Sequence, residues 1–268
     1  MIMTLKKSIK TAVEILGSGT EYIREREMID GIFKMTRKSV SKETIHMRLT
    51  VIDSFYSTNM NRRLFGINDL SGEILSIGNE DALLQEITKY KKNEKSEIDK
   101  LLEKKYGIHK NGNEGERARS LISKYLYFVT GHNFPIEDTL VKVNLENVIK
   151  YYALEVKSDN DILKKILFIC AQNNLQFDEF DNFMWLLGKI NKGSLSLVTN
   201  KDSYTQLIRK LNINKNIKSS DFDKKLSMKL KNEEYLEVIK DRISGELYNF
   251  LKLNIDINKK NIQYPLQR

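Results

Sequence analysis

The sequence predicts an all-α protein, and three observations carry that expectation. Apolar residues recur at helical spacing in segment after segment, no stretch alternates convincingly between apolar and polar, and only two prolines interrupt 268 residues. The run "SLSLV" at 194–198 is the single short strand candidate. About ten helices are expected in one compact unit, divided, if anywhere, by a loop near residue 110.

In "SKETIHMRLTVIDSFYSTN", Ser41 suits an N-cap with Glu43 and Thr44 in the first turn. Ile45, Leu49, Ile52 and Phe55 or Tyr56 then form one face. "GINDLSGEILSIG" gives a short helix around Leu70, Ile74 and Leu75. Residues 80–105 read as one long polar-faced helix or as two broken near Asn93. "YGIHKNGNEGE" is a glycine- and asparagine-rich loop, the clearest punctuation in the chain. After it, "RARSLISKYLYFVTG" lines up Leu121, Ile122, Tyr125, Leu126 and Val129.

Pro135, in "GHNFPIEDTLV", fixes φ and marks a turn; the other proline, Pro265, lies in the tail. Beyond the turn, Leu140, Val141, Leu145, Val148, Ile149 and Tyr152 have amphipathic spacing. Glu137 and Asp138 thus fall in that helix's first turn, where free N–H groups stabilise anions. Helix capping is one role open to them. Two more helices follow in "NDILKKILFICAQNN" and "FDEFDNFMWLLGKINKG". Residues 200–256 read as further, more basic helices, with Gly245 interrupting the last.

Composition narrows the function. The chain is 40% hydrophobic and 30% charged with mean hydropathy −0.46, and no apolar run approaches the roughly 18 residues of a membrane span. A membrane is not an expected partner. The first residues lack the apolar run and cleavage site of a signal peptide. The single cysteine, Cys170 in "ILFICA", excludes an intramolecular disulfide, points to a reducing cytoplasm, and suits a small core residue. His46, His109 and His132 have no metal-ligand spacing, and CxxC, HExxH, GxGxxG, P-loop and GxSxG patterns are absent. Neither a metal nor a cofactor is expected.

The net charge of +9 is unevenly placed. From Trp185 to Lys231 eleven Lys/Arg face three Asp, whereas residues 62–124 carry thirteen basic and eleven acidic residues. Such a concentration suggests a polyanion partner, although a solvated lysine-rich face gives the same pattern.

Three blocks in order point further. Ser123, Lys124, Leu126 and Phe128, then Phe134, Pro135, Ile136, Asp138, Thr139 and Val141, match a helix, proline turn and acid-led helix. With "VIDSFYSTNMNRRLFGINDL" and "FDNFMWLLGKI", this arrangement resembles the helix-hairpin-helix DNA glycosylases, in particular divergent bacterial proteins with an 8-oxoguanine-glycosylase-like fold. The likeness touches residues 45–190 or so. It implies a two-lobed helical fold: a lobe around 40–110, a motif-bearing lobe around 111–200, and basic C-terminal helices at 201–268. It also implies excision of a damaged or modified base from double-stranded DNA, the base being extruded. No residue decides between a repair lesion and a modified base of invading phage DNA.

Asp138 matches the family's catalytic aspartate. An ionised carboxylate there stabilises the positive charge that builds on the sugar as the N-glycosidic bond breaks. Lys124 is a candidate nucleophile, or a contact to phosphate or to Asp138. It lies closer to the aspartate in sequence than the nucleophilic lysine of bifunctional members, whose spacing leads to Arg119 and Ser120. The hairpin GxG that grips phosphate is not recognisable; "NGNEGERAR" is its polar substitute, with Arg117 and Arg119 as phosphate contacts. Arg62, Arg63 and Lys189 are further DNA-binding candidates. Asp53, Tyr56, Asn59 and Trp185 are candidates for holding the base, with core packing as the other role for the aromatics. The expected state is a monomer. A non-catalytic helical DNA-binding or interaction module is the alternative, and a purely structural helical protein the third.

Overall fold

Short polar side chains decide where several helices begin. Thr4, Ser41, Asn79, Asn200 and Asn232 each accept a backbone N–H from the first turn that follows. The computed structural model describes residues 4–17, 20–37, 40–156, 161–213 and 218–259; Pro265 and the rest of 260–268 lie outside them.

Among the described residues there are fourteen α-helices and one two-stranded hairpin. The order is α1 (Leu5–Leu16), α2 (Glu21–Met35), α3 (Lys42–Tyr56), α4 (Gly66–Ile77), α5 (Glu80–Lys91) and α6 (Glu97–Glu103). The hairpin β1 (Lys105–Ile108) and β2 (Glu114–Arg117) precedes α7 (Arg119–Val129), α8 (Thr139–Tyr152), α9 (Ile162–Asn173) and α10 (Phe177–Asn191). Then come α11 (Lys201–Lys210), α12 (Ser219–Leu230), α13 (Glu233–Ile239) and α14 (Gly245–Lys259). The fold is therefore all-α, and no helix among the described residues is long and apolar enough to cross a membrane.

Four local expectations need correcting. The loop expected at "YGIHKNGNEGE" is an antiparallel hairpin pairing Lys105 with Arg117, Tyr106 with Glu116 and Ile108 with Glu114. Strands of four residues are too short to establish an alternating pattern. Gly115 makes the close pairing feasible, because a Cβ there would lie 2.0 Å from the Tyr106 carbonyl oxygen. "SLSLV" contains one 3₁₀ turn at Leu195–Leu197 rather than a strand. Glu137 and Asp138 precede the first residue of α8 instead of lying in its first turn. Gly245 starts α14 rather than interrupting a helix.

The chain divides into two compact units that cut across the expected lobes. One takes the described residues within Met1–Ile23, Thr139–Asp159 and Phe168–Arg268; the other takes those within Arg24–Asp138 and Asn160–Leu167. In the first unit α10 packs against α1, α8, α12 and α14. Asn191 ties three of these helices together, donating to Asn144 Oδ1 at 2.8 Å and accepting from Asn258 Nδ2 at 3.1 Å.

In the second unit α7 is the central element. Leu121, Ile122, Ser123, Lys124, Tyr125, Leu126, Tyr127 and Phe128 are consecutive and all buried, so the helix is enclosed rather than one-faced. Helices α3, α5 and α6 pack on it. Around it lie Phe33, Leu49, Ile52, Leu70, Ile87, Tyr90, Leu101, Phe134 and Ile136. A lysine on such a helix has to find its partners inside the protein.

Candidate functional site

The proline segment is fastened from both ends. Gly131 and His132 both have positive φ, +60° and +71°, and reverse the chain as α7 ends. The His132 N–H donates to Tyr127 O at 2.7 Å, its ring stacks on Tyr127 at 4.4 Å, and its Nε2 meets Asp30 Oδ1 at 2.8 Å. Lys91 Nζ donates to both oxygens of Asn133, and burial lowers the Lys91 pKa. Phe134, Pro135 and Ile136 are buried next, so the turn is anchored by apolar contact on its inner side.

Glu137 closes the segment onto α7. Its N–H donates to Ser123 Oγ at 3.0 Å, and its carboxylate accepts from Arg119 Nε at 2.8 Å. Arg119 also donates to Glu103 and Asp161, each at 2.8 Å, while Asp161 in turn accepts the N–H of Leu163 at the start of α9. Burial disfavours the guanidinium charge, but the Asp161 hydrogen bond and the Glu137 charge outweigh it and hold the pKa above the ordinary arginine value. Nearby, the Tyr90 hydroxyl is buried and makes no hydrogen bond; burial first, then the Asp161 charge, raise its pKa.

With Glu137 fixed, Asp138 follows as the last residue before α8. Its Oδ2 lies 3.8 Å from Lys124 Nζ, the side chains being 21% and 3% exposed. Lys124 also donates to Ser120 Oγ at 2.9 Å, and its ammonium sits 5.2 Å from the centre of the Tyr56 ring. Tyr56 is half-buried, with Phe128 6.3 Å away between ring centres. Asp138, Lys124 and Tyr56 are thus brought together, as a partly exposed carboxylate, a buried cation and an aromatic face.

The other candidates have distinct placements. Asp53 is buried and accepts from the Thr58 hydroxyl and, at 3.0 Å, from Met60 N–H, so its Oδ1 fastens the turn after α3. Asn59 is exposed in a left-handed conformation on that turn, and Arg62 is exposed beside it. Arg63 donates to Glu116 O at 2.7 Å and clamps the hairpin. Arg117 pairs with Glu103 at 2.8 Å, both well exposed. Arg119, expected at a phosphate, is instead engaged by three carboxylates. Trp185 and Lys189 belong to the first unit: Tyr22 stacks on Trp185 at 4.1 Å, donates to Asp181 at 2.8 Å, and Lys189 lies 5.3 Å from the indole.

Sequence reasoning missed the Arg119–Glu137–Asp161 cluster. The spacing of Arg119 and Glu137, 18 residues with a helix and a turn between them, carries no periodic signal. Among the described residues no group of three or more His, Cys, Asp or Glu is arranged to hold a metal ion.

Fold and site together define the class: an all-α protein with one small hairpin, whose central helix buries a lysine against a turn-borne carboxylate. Compared with known proteins, the chain matches no family model, no curated protein and no solved structure.

Proposed function

We propose that the chain is a DNA-binding base-excision enzyme that cleaves an N-glycosidic bond, with Asp138 as the essential carboxylate. The observation that supports this most is the Lys124–Asp138 pair, a buried cation keeping a partly exposed carboxylate in place at 3.8 Å. A cleaving N-glycosidic bond builds positive charge on the sugar, and an ionised carboxylate at that point lowers the barrier. Water then supplies the oxygen that bonds to C1′, and its proton leaves with the departing base. Tyr56, half-buried beside the pair, offers a face on which an extruded base stacks.

In this reading Lys124 is the counter-ion of Asp138 rather than a nucleophile. Its side chain is 3% exposed and already donates to Ser120. The product is therefore intact abasic DNA. The positive excess between Trp185 and Lys231 provides attraction to phosphate without reading sequence.

The test is excision from duplex oligonucleotides carrying assorted damaged or modified bases, read as alkali-sensitive abasic sites. Borohydride is added in parallel to trap any lysine–sugar Schiff base. Expected are alkali-sensitive sites that Asp138→Asn removes, and no trapped adduct. Trapping abolished by Lys124→Ala makes the lysine a nucleophile. Duplex binding with a steep salt dependence and no excision of any base instead favours the non-catalytic module.

A further inference from the structure

Helix α2 turns two methionines outward. Ile29 and Phe33 anchor it in the core of the second unit, while Met28 and Met35 are 59% and 80% exposed. Seven residues apart, or about two helical turns, they share one edge of the helix. Between them lies Gly31, where an added Cβ would meet nothing within 4 Å. Glycine weakens a helix interior relative to alanine, and what it permits in return is close approach of another backbone. Glu27 and Lys34, both exposed and also seven apart, form the other edge. About 10.5 Å of helical rise keeps these two charges from pairing within one chain.

Gly31 is the centre of this open face. Met35 and Met28 stand about 40° and 60° to one side of it, Glu27 and Lys34 about 40° and 60° to the other. Along the axis, Glu27 and Met28 precede Gly31 by four and three residues, and Met35 and Lys34 follow it by four and three. The face is therefore its own complement. Two copies of α2 laid antiparallel about a two-fold axis at Gly31 bring each edge against the same edge. Met28 then meets the partner's Met35 and Glu27 meets the partner's Lys34, each pair level to within about 1.5 Å. Parallel pairing about a two-fold axis would set methionine against charge instead. A nucleic acid or an anionic lipid surface selects one sign of charge, whereas this face carries both signs in an order that matches itself.

We infer that the α2 face is a self-association surface: two chains pair antiparallel across Gly31, with methionines packed on one edge and Glu27 and Lys34 paired between copies on the other. This replaces the monomer expected from the sequence and is independent of the DNA reading. One helix face is a small interface, so the dimer belongs to the weak, exchanging class.

The test is sedimentation equilibrium of the full chain over a wide concentration range. Wild type is expected to dimerise as concentration rises. Glu27→Lys and Lys34→Glu each turn two attractive pairs per dimer into repulsive ones, and each should weaken association about tenfold. An equimolar mixture of the two variants restores opposite charges on both sides of the axis and should dimerise as wild type does. So should the double variant. A merely local role for either charge gives no such recovery in the mixture. Orientation is read by mild oxidation of single-cysteine replacements, since native Cys170 is buried. Gly31→Cys should cross-link across the axis, whereas Arg24→Cys, about 21 Å from its mate in the antiparallel pair, should not. Wild type that stays monomeric at every concentration overturns the inference. A mixture no better than its components, or equal cross-linking at both positions, overturns it as well.

Discussion

Arg119 Nε and Glu137 Oε2 meet at 2.8 Å, one residue before the aspartate that the proline turn presents. The contact joins the start of α7 to the end of the turn, and both side chains are largely withdrawn from solvent. Arg119→Ala leaves a buried carboxylate uncompensated and is expected to cost about 3–5 kcal/mol in urea unfolding. Glu137→Gln keeps an oxygen that accepts the Nε–H, so its cost should be smaller, about 1–2 kcal/mol. Excision per folded molecule should stay near wild type in Glu137→Gln, since this side chain turns to Arg119 while Asp138 turns to Lys124. Equal losses of stability in the two variants would mean the charge, not the hydrogen bond, dominates.

Asp138→Asn separates chemistry from capping. Loss of the negative charge is expected to slow single-turnover excision about a thousandfold or more. It also removes the countercharge of a buried lysine, so some stability should be lost with it. Lys124→Met combined with Asp138→Asn should recover part of that stability without recovering the rate, a coupling that a double-mutant cycle measures. Should Asp138→Asn keep the wild-type rate and lose only stability, the pair is structural.

The hairpin makes a sharper stability prediction. Gly115→Ala puts a methyl group 2.0 Å from Tyr106 O, a backbone atom that cannot swing away. The expected loss is about 3 kcal/mol, visible as a lower melting temperature. Gly31→Ala, inside α2 with nothing within 4 Å of its Cβ, should instead gain about 0.5–1 kcal/mol. Opposite signs for the two replacements are the signature to look for.

Alkali should weaken the fold in a defined window. Burial pushes the Cys170 thiol from 9.0 up to about 12, and burial likewise raises Tyr90, Tyr106 and Tyr152. A raised pKa gives stability that is complete below the unfolded value and lost as pH climbs toward the folded one. For Cys170 that loss runs between 9.0 and about 12. Unfolding free energies measured across this range should fall. A disulfide reagent at neutral pH should modify Cys170 in urea and leave it untouched in the native protein.

Helices were legible where one face is apolar and a polar cap precedes it. Ser41 caps α3 as its position suggests, and the break near Asn93 is real, with φ +61° there. Leu140, Val141, Leu145, Val148 and Ile149 are all buried on α8. The hairpin was hidden because its pairing depends on Gly115 and on Leu64, far away in sequence, more than on any alternation of its own. The proximity of Asp138, Lys124 and Tyr56 was approached through sequence resemblance, whereas the partners of Arg119 and Asp53 emerge only from tertiary contact. Periodicity reports which side of a helix is buried. It does not report which polar groups meet inside.

The discontinuous first unit has a consequence for synthesis. Tyr22 and Asp181, joined by a hydrogen bond, are 159 residues apart, and the apolar side of α1 lies against α10 and α14. At about 5–20 residues per second a ribosome leaves Leu5, Ile9, Ala12 and Leu16 without their native neighbours for roughly 10–30 s. The second unit, drawn mostly from Arg24–Asp138, meets most of its own contacts during that interval. Nascent chains arrested before α10 should therefore carry a protease-resistant middle and a sticky amino-terminal helix, the part a chaperone would hold.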